Sequence, residues 1–209
     1  MLKNRSLQVL LFFIILSTGI FLRAYHIGSY SLFSDERSSI LLGVANTNQG
    51  GMGDLMNPLK TFTPADFWAD RGIKSWLAAD AAGDVSGNSL VHDMMLKLFA
   101  FLFGKSDESM RSVSLLFNVM TIWVMYIWSR KIPSLRNYSF LIFGLAAIEP
   151  FFVIYSQQAR NYATSLFFTT TSNYFFWQVA QKENFTNSSY LIKDKLENYI
   201  GSPDFHVLA

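Results

Sequence analysis

Four runs of apolar residues punctuate this chain, and almost all of its charge lies outside them. Residues 6–22 (SLQVLLFFIILSTGIFL) are uncharged and lie between Arg5 and Arg23, and residues 112–129 (SVSLLFNVMTIWVMYIWS) lie likewise between Arg111 and Arg130. A third run, residues 137–155, carries only Glu149, and a fourth, residues 162–180, is uncharged but rich in Thr and Ser. At 1.5 Å rise per residue, helices of this length reach about 26–29 Å, close to the thickness of a hydrocarbon core. The pattern predicts an all-α polytopic membrane protein with about four transmembrane helices. Arg23 is expected to snorkel to the interface at the end of the first.

Between the first and second runs lies a long polar region, residues 24–108, predicted to form an outward loop that carries juxtamembrane helices. Residues 46–53 (NTNQGGMG) read as loop, and residues 64–79, opened by Pro64, read as a short helix with Phe67, Ile73 and Trp76 on one face. Residues 89–103 (SLVHDMMLKLFAFLF) are apolar but interrupted by His92, Asp93 and Lys97, which predicts a helix lying along the membrane surface. A buried helix of a small soluble domain would show the same pattern. Residues 182–209 form a polar tail.

Composition agrees with a bilayer as solvent: 51% of residues are hydrophobic, 20 are Phe and only 15% are charged. A net charge of +2, with scattered basic residues, argues against a nucleic-acid partner, and the absence of cysteine excludes disulfides and thiolate chemistry. Ten of the 15 acidic residues fall between Asp35 and Glu108, whereas the short turn after the second run holds Arg130, Lys131 and Arg136 and no acid. By the positive-inside rule that turn is cytoplasmic, as is the amino end. A basic start before an apolar run is also the mark of a cleaved signal peptide. No small-x-small site follows this one, however, and the segment reads as an anchor. The acceptor patterns at Asn184 and Asn187 then fall on the cytoplasmic side, where glycosylation does not occur.

Three features carry candidate chemistry. Asp35 and Glu36 lie a dozen residues beyond the first run, and Arg160 lies in YSQQARNY just before the fourth, so the topology places all three at the outer face. A guanidinium can hold a phosphate by paired hydrogen bonds, and a carboxylate can take a proton from an attacking hydroxyl or amine. Glu149-Pro150, near the outer end of the third run, is a further candidate, although an interface and a proline tolerate a carboxylate passively. A divalent ion would need oxygen ligands, which Asp35 or Glu36 can supply. A channel or transporter would call for ionisable residues along a shared mid-span path, and only Glu149 comes near.

The order of an amino-terminal span, RAYHIGSYSLFSDE (23–36), GNSLVHDMMLKLFAFLFGKSDESMRSVSLLF (87–117) and YSQQARNYA (155–163) resembles the amino-terminal part of the GT-C membrane glycosyltransferases. Within them it is most similar to the protein O-mannosyltransferase and aminoarabinose-transferase-like group. The resemblance implies a polyprenyl-phosphate-linked sugar donor used at the periplasmic or extracellular face of a bacterial inner membrane. It also implies direct displacement with inversion onto a protein, lipid or glycan acceptor. By position it implies that Asp35 is the general base or acceptor-positioning group with Glu36 its partner, and that Arg160 and Tyr162 lie near the donor phosphate. Asn88, His92 and Glu149 are candidates for the acceptor side of the cavity. Two departures stand out. Gly87-Asn88-Ser89-Leu90 replaces the His-Pro-Pro-Leu run of many relatives, and relatives continue for many more spans. The competing expectation is therefore a non-catalytic membrane subunit or truncated product that packs with a full-length transferase or a missing carboxy-terminal half.

Overall fold

The structure is a computed structural model that describes residues 5–45, 68, 73–74 and 90–182. All its described elements are helical. Two compact units are resolved by contact, Met1–Thr170 and Thr171–Ala209.

Helix α1 spans Arg5–Ala24 and matches the first apolar run. In lipid every backbone N–H and C=O must be satisfied within the segment, which leaves a helix as the solution for such a sequence. After a turn in which His26 adopts φ 57°, α2 covers Ser34–Ile40 and runs on into a π-helical segment, Leu41–Ala45. Helix α3 is Leu90–Phe103, close to the expected 89–103. Helix α4 is Asp107–Lys131. The Ser106 hydroxyl accepts from the Ser109 N–H at its start, Asp107 and Glu108 fill its first turn, and Arg130 and Lys131 its last, each matching the helix dipole. A 3-10 turn, Arg136–Tyr138, leads to α5, Ser139–Ile148. Helices α6, Pro150–Ser156, and α7, Tyr162–Lys182, complete the described chain.

The third apolar run is broken. Pro150 cannot donate a backbone hydrogen bond, so the helix stops at Ile148 and restarts at Pro150 with a bend of 51°. Among the described residues two helices, α1 and α4, are both long and apolar enough to cross a membrane, or three if the bent pair is one span. Helix α7 forms where the fourth span was expected, but its hydroxyl-rich sequence leaves it outside that set. The expected loop at 46–53 lies outside the described residues, as do Asn88, the tail beyond Lys182 and all of the helix expected at 64–79 but Trp68, Ile73 and Lys74.

Helix α4 is the mast on which unit Met1–Thr170 is assembled. Its buried positions, among them Met110, Val113, Phe117 and Thr121, recur at three- and four-residue spacing and so share a face. Towards its amino end α3 packs on α4 and on the π-helical segment, with Leu32, Ile40, Val44, Leu96 and Ala163 in one cluster. Gly43 permits that approach, because a Cβ there would lie 3.0 Å from Leu96 Cδ1. Towards its carboxyl end α1 and α5 pack on α4 around Ile122, Tyr126, Phe143 and Ala147. Helix α3 is inverted relative to a water-soluble helix: His92 and Asp93 are buried, while Met94, Leu98, Phe101 and Leu102 are exposed. Exposed apolar side chains over buried polar ones fit a chain whose outer solvent is lipid.

Candidate functional site at the head of helix α4

Asp35 and Glu36 stand in the first turn of α2, a helix with 3.6 residues per turn, so adjacent side chains diverge by about 100° and only one can face the bundle. Glu36 is the one buried, at 2% exposure. Its Oε1 accepts from Arg111 Nε at 2.9 Å and from the Ala159 N–H at 2.7 Å. Its Oε2 accepts from Arg111 Nη2 at 2.9 Å and from the Phe33 N–H at 2.8 Å. These four bonds fill the four acceptor positions of a carboxylate. Burial alone would push the Glu36 carboxyl up, but the Arg111 hydrogen bond and the two backbone N–H groups outweigh it and hold it below the ordinary range.

Arg111 is equally saturated. Besides its two bonds to Glu36, its Nη1 donates to the Ile27 and Tyr30 carbonyls, both at 2.8 Å, and its Nη2 to the Ser31 carbonyl at 3.3 Å. All five guanidinium N–H groups thus have acceptors, and one ion pair ties the 27–31 turn, α2, α4 and the 157–161 loop together.

That loop brings Arg160 to α2. Its Nη1 donates to the Asp35 carbonyl at 3.2 Å and to the Ser39 hydroxyl at 3.0 Å, and its guanidinium lies over the Tyr162 ring at 5.5 Å. The Ser114 hydroxyl donates to the Arg160 carbonyl and fixes the loop against α4. The half-buried Asp35 side chain has no hydrogen-bond or ionic partner among the described residues, and Tyr162 is 44% exposed beside Tyr155. One saturated carboxylate holds the frame, and Arg160 is bonded to the backbone of the residue that carries the uncommitted one; a guanidinium can bind a phosphate and a carboxylate can accept a proton. A cation ligand from this pair would have to come from Asp35, because the Glu36 oxygens are occupied.

Two other candidates occupy different surroundings. His92 is fully buried, with Nδ1 3.0 Å from the Thr164 hydroxyl. Burial, with the Arg160 charge beside it, pushes its pKa down to about 4 despite the Ala159 backbone, so the ring is neutral at pH 7. Glu149 caps α6, its Oε2 accepting from the Phe152 N–H at 2.7 Å.

Arg23 departs from the sequence expectation. Far from snorkelling, it is completely buried. It donates to Asn118 Oδ1 at 2.7 Å, to the Gly19 carbonyl at 2.9 Å, and to the Ala147 and Ala146 carbonyls at 2.6 and 3.2 Å. The last two are the carbonyls at the carboxyl end of α5 that the break at Pro150 leaves without helical donors. A cation at that end is also favoured by the helix dipole, so the broken span supplies the partners that make burial of Arg23 tolerable. Reciprocally, the Gln157 amide donates to the Leu22, Arg23 and Tyr25 carbonyls at the end of α1.

Sequence reasoning passed over Arg111, Ser39 and Gln157. The available signal was a lone arginine one turn into a helix opened by Asp107 and Glu108, read only as the start of a span. The family described as dolichyl-phosphate-mannose-protein mannosyltransferase matches residues 88–192, a stretch that contains Arg111, Arg160 and Tyr162 and excludes α2. No curated protein and no solved structure matches the chain.

Proposed function

Because the chain belongs to the dolichyl-phosphate-mannose-protein mannosyltransferase family and so to the GT-C membrane glycosyltransferases, we propose that it serves transfer of a sugar from a polyprenyl-phosphate donor to an acceptor at the periplasmic or extracellular face. Asp35 accepts the proton of the acceptor hydroxyl as that oxygen bonds to the anomeric carbon. The bond from that carbon to the phosphate oxygen breaks, polyprenyl phosphate leaves with the electron pair, and the configuration inverts. Arg160 offsets the charge that gathers on the leaving phosphate, with Tyr162 beneath its guanidinium. Glu36 and Arg111 position α2.

The observation that carries this reading is the bond from Arg160 Nη1 to the Asp35 carbonyl at 3.2 Å. It joins residues far apart in sequence at one end of the bundle, within reach of one sugar-phosphate headgroup. The test is sugar transfer from a polyprenyl-phosphate donor in membranes that contain this chain and its Asp35→Asn variant. Loss of transfer by the variant, with insertion into the membrane unchanged, is expected. Equal transfer by both proteins removes Asp35 from the mechanism.

A further inference from the structure

At the end of α4 remote from α2 the bundle carries a second polar feature. Helices α1 and α4 pack together, and the contacts of Arg23 with Asn118 and of Phe12 with Tyr126 show that they run antiparallel. Arg5, which opens α1, therefore lies near Arg130, which closes α4, about 27 Å of helix away from Arg23. Between them is a cleft of about 460 Å³ lined by Arg5, Gln8, Phe12, Phe13, Trp123 and Arg130, with Tyr126 at its wall. No acidic residue lines it among the described residues.

The two arginines are placed for an anion. The Arg5 side chain has no hydrogen-bond or ionic partner among the described residues, and the first turn of α1 holds no acid to offset the positive end of the helix dipole. Arg130 is held at the cleft by its own neighbour, Nη1 donating to the Tyr126 hydroxyl at 3.1 Å with the guanidinium over the Tyr126 ring at 5.7 Å. Below this charged rim the wall is apolar and open: Phe13 is 58% and Trp123 50% exposed. Charge at the rim and hydrocarbon-facing aromatics beneath match the two parts of one molecule, a phosphate headgroup and its acyl chain.

We propose that this cleft is a binding site for an anionic glycerophospholipid, separate from the Asp35–Arg160 site, with Arg5 and Arg130 on the phosphate and the chain along Phe13 and Trp123. The site ties the amino end of α1 to the carboxyl end of α4 through the bound lipid.

The probe is phosphatidylglycerol, compared with phosphatidylcholine and with inorganic phosphate, on the purified chain. Binding is read by retained lipid in native mass spectrometry and by quenching of Trp123 with lipids brominated on the acyl chain, the Trp123→Phe variant giving the background. Phosphatidylglycerol is expected to be retained and to quench. Phosphatidylcholine should do so several-fold less, and phosphate alone should not compete. Arg5→Gln and Arg130→Gln should each weaken phosphatidylglycerol about fivefold, the effect of one arginine at a lipid surface. Arg136→Gln, which removes a neighbouring charge outside the cleft, should leave affinity unchanged. Equal retention of the two lipids, or an equal loss from Arg136→Gln, overturns the proposal in favour of unspecific solvation by lipid. Retention of phosphatidylglycerol without quenching of Trp123 would place the lipid outside the cleft and overturn the proposal as well.

Discussion

Glu36→Gln tests the claim that Glu36 is the structural member of the acidic pair. Glutamine preserves shape but keeps one oxygen, so it retains at most two of the four bonds made by the carboxylate and turns an NH2 group towards the other two donors. It also leaves Arg111 charged at a site where its side chain is 5% exposed. Removing one partner of a buried pair costs about 3–5 kcal/mol, and each buried donor left without an acceptor about 1–3 kcal/mol, so a loss of about 4 kcal/mol is expected. For a chain of this size that lowers the melting temperature by on the order of 10 °C. The assay is thermal unfolding of the purified chain in detergent, run for Glu36→Gln, Arg111→Met and the double variant. Removing both charges relieves the uncompensated one, so the double variant should recover about 1–3 kcal/mol relative to the sum of the singles. It should still melt below the wild type, because the Ile27, Tyr30 and Ser31 carbonyls lose their donor. A single variant within about 1 kcal/mol of wild type, or strict additivity of the pair, would refute the assignment.

Three further outcomes follow from the same geometry. Arg23→Met strips the donors from the Ala146 and Ala147 carbonyls, at about 1–3 kcal/mol each, and should loosen the bend at Pro150. Because the chain has no cysteine, a Ser156→Cys reporter at that fully buried position should be protected from thiol reagents in the parent and label in Arg23→Met. His92, held neutral with its pKa pushed down to about 4 from 6.5, binds protons in the unfolded chain before it does in the folded one. Its contribution is therefore complete above pH 6.5 and is lost as pH falls towards 4, by about 3 kcal/mol. Melting temperature measured across that window should fall with acid in the parent and stay flatter in His92→Gln. Gly19→Ala places a Cβ 3.3 Å from Ala147 Cβ and should cost little, whereas Gly19→Leu should separate α1 from α5 at about 1–3 kcal/mol, read as a drop in melting temperature.

The length and periodicity of apolar runs are local properties, and they were enough to place α1, α3 and α4 within two residues or so at most ends, apart from the amino end of α4, which starts five residues earlier at Asp107. In those segments the backbone can be satisfied only by its own helix. Sequence order also sufficed to bring α2 and Arg160 to the same end, because each follows or precedes an apolar run of the appropriate direction. Local pattern could not decide which of two adjacent acids turns inward. That depends on where Arg111, 75 positions away, finds four or more acceptors at once. Nor could it decide that Arg23 is buried: an arginine after an apolar run ordinarily escapes to the interface, and here it stays because Pro150 exposes carbonyls on another helix. Charge in a low-dielectric interior is governed by the partners that meet it there, and those partners are assembled by packing between segments rather than by neighbours along the chain.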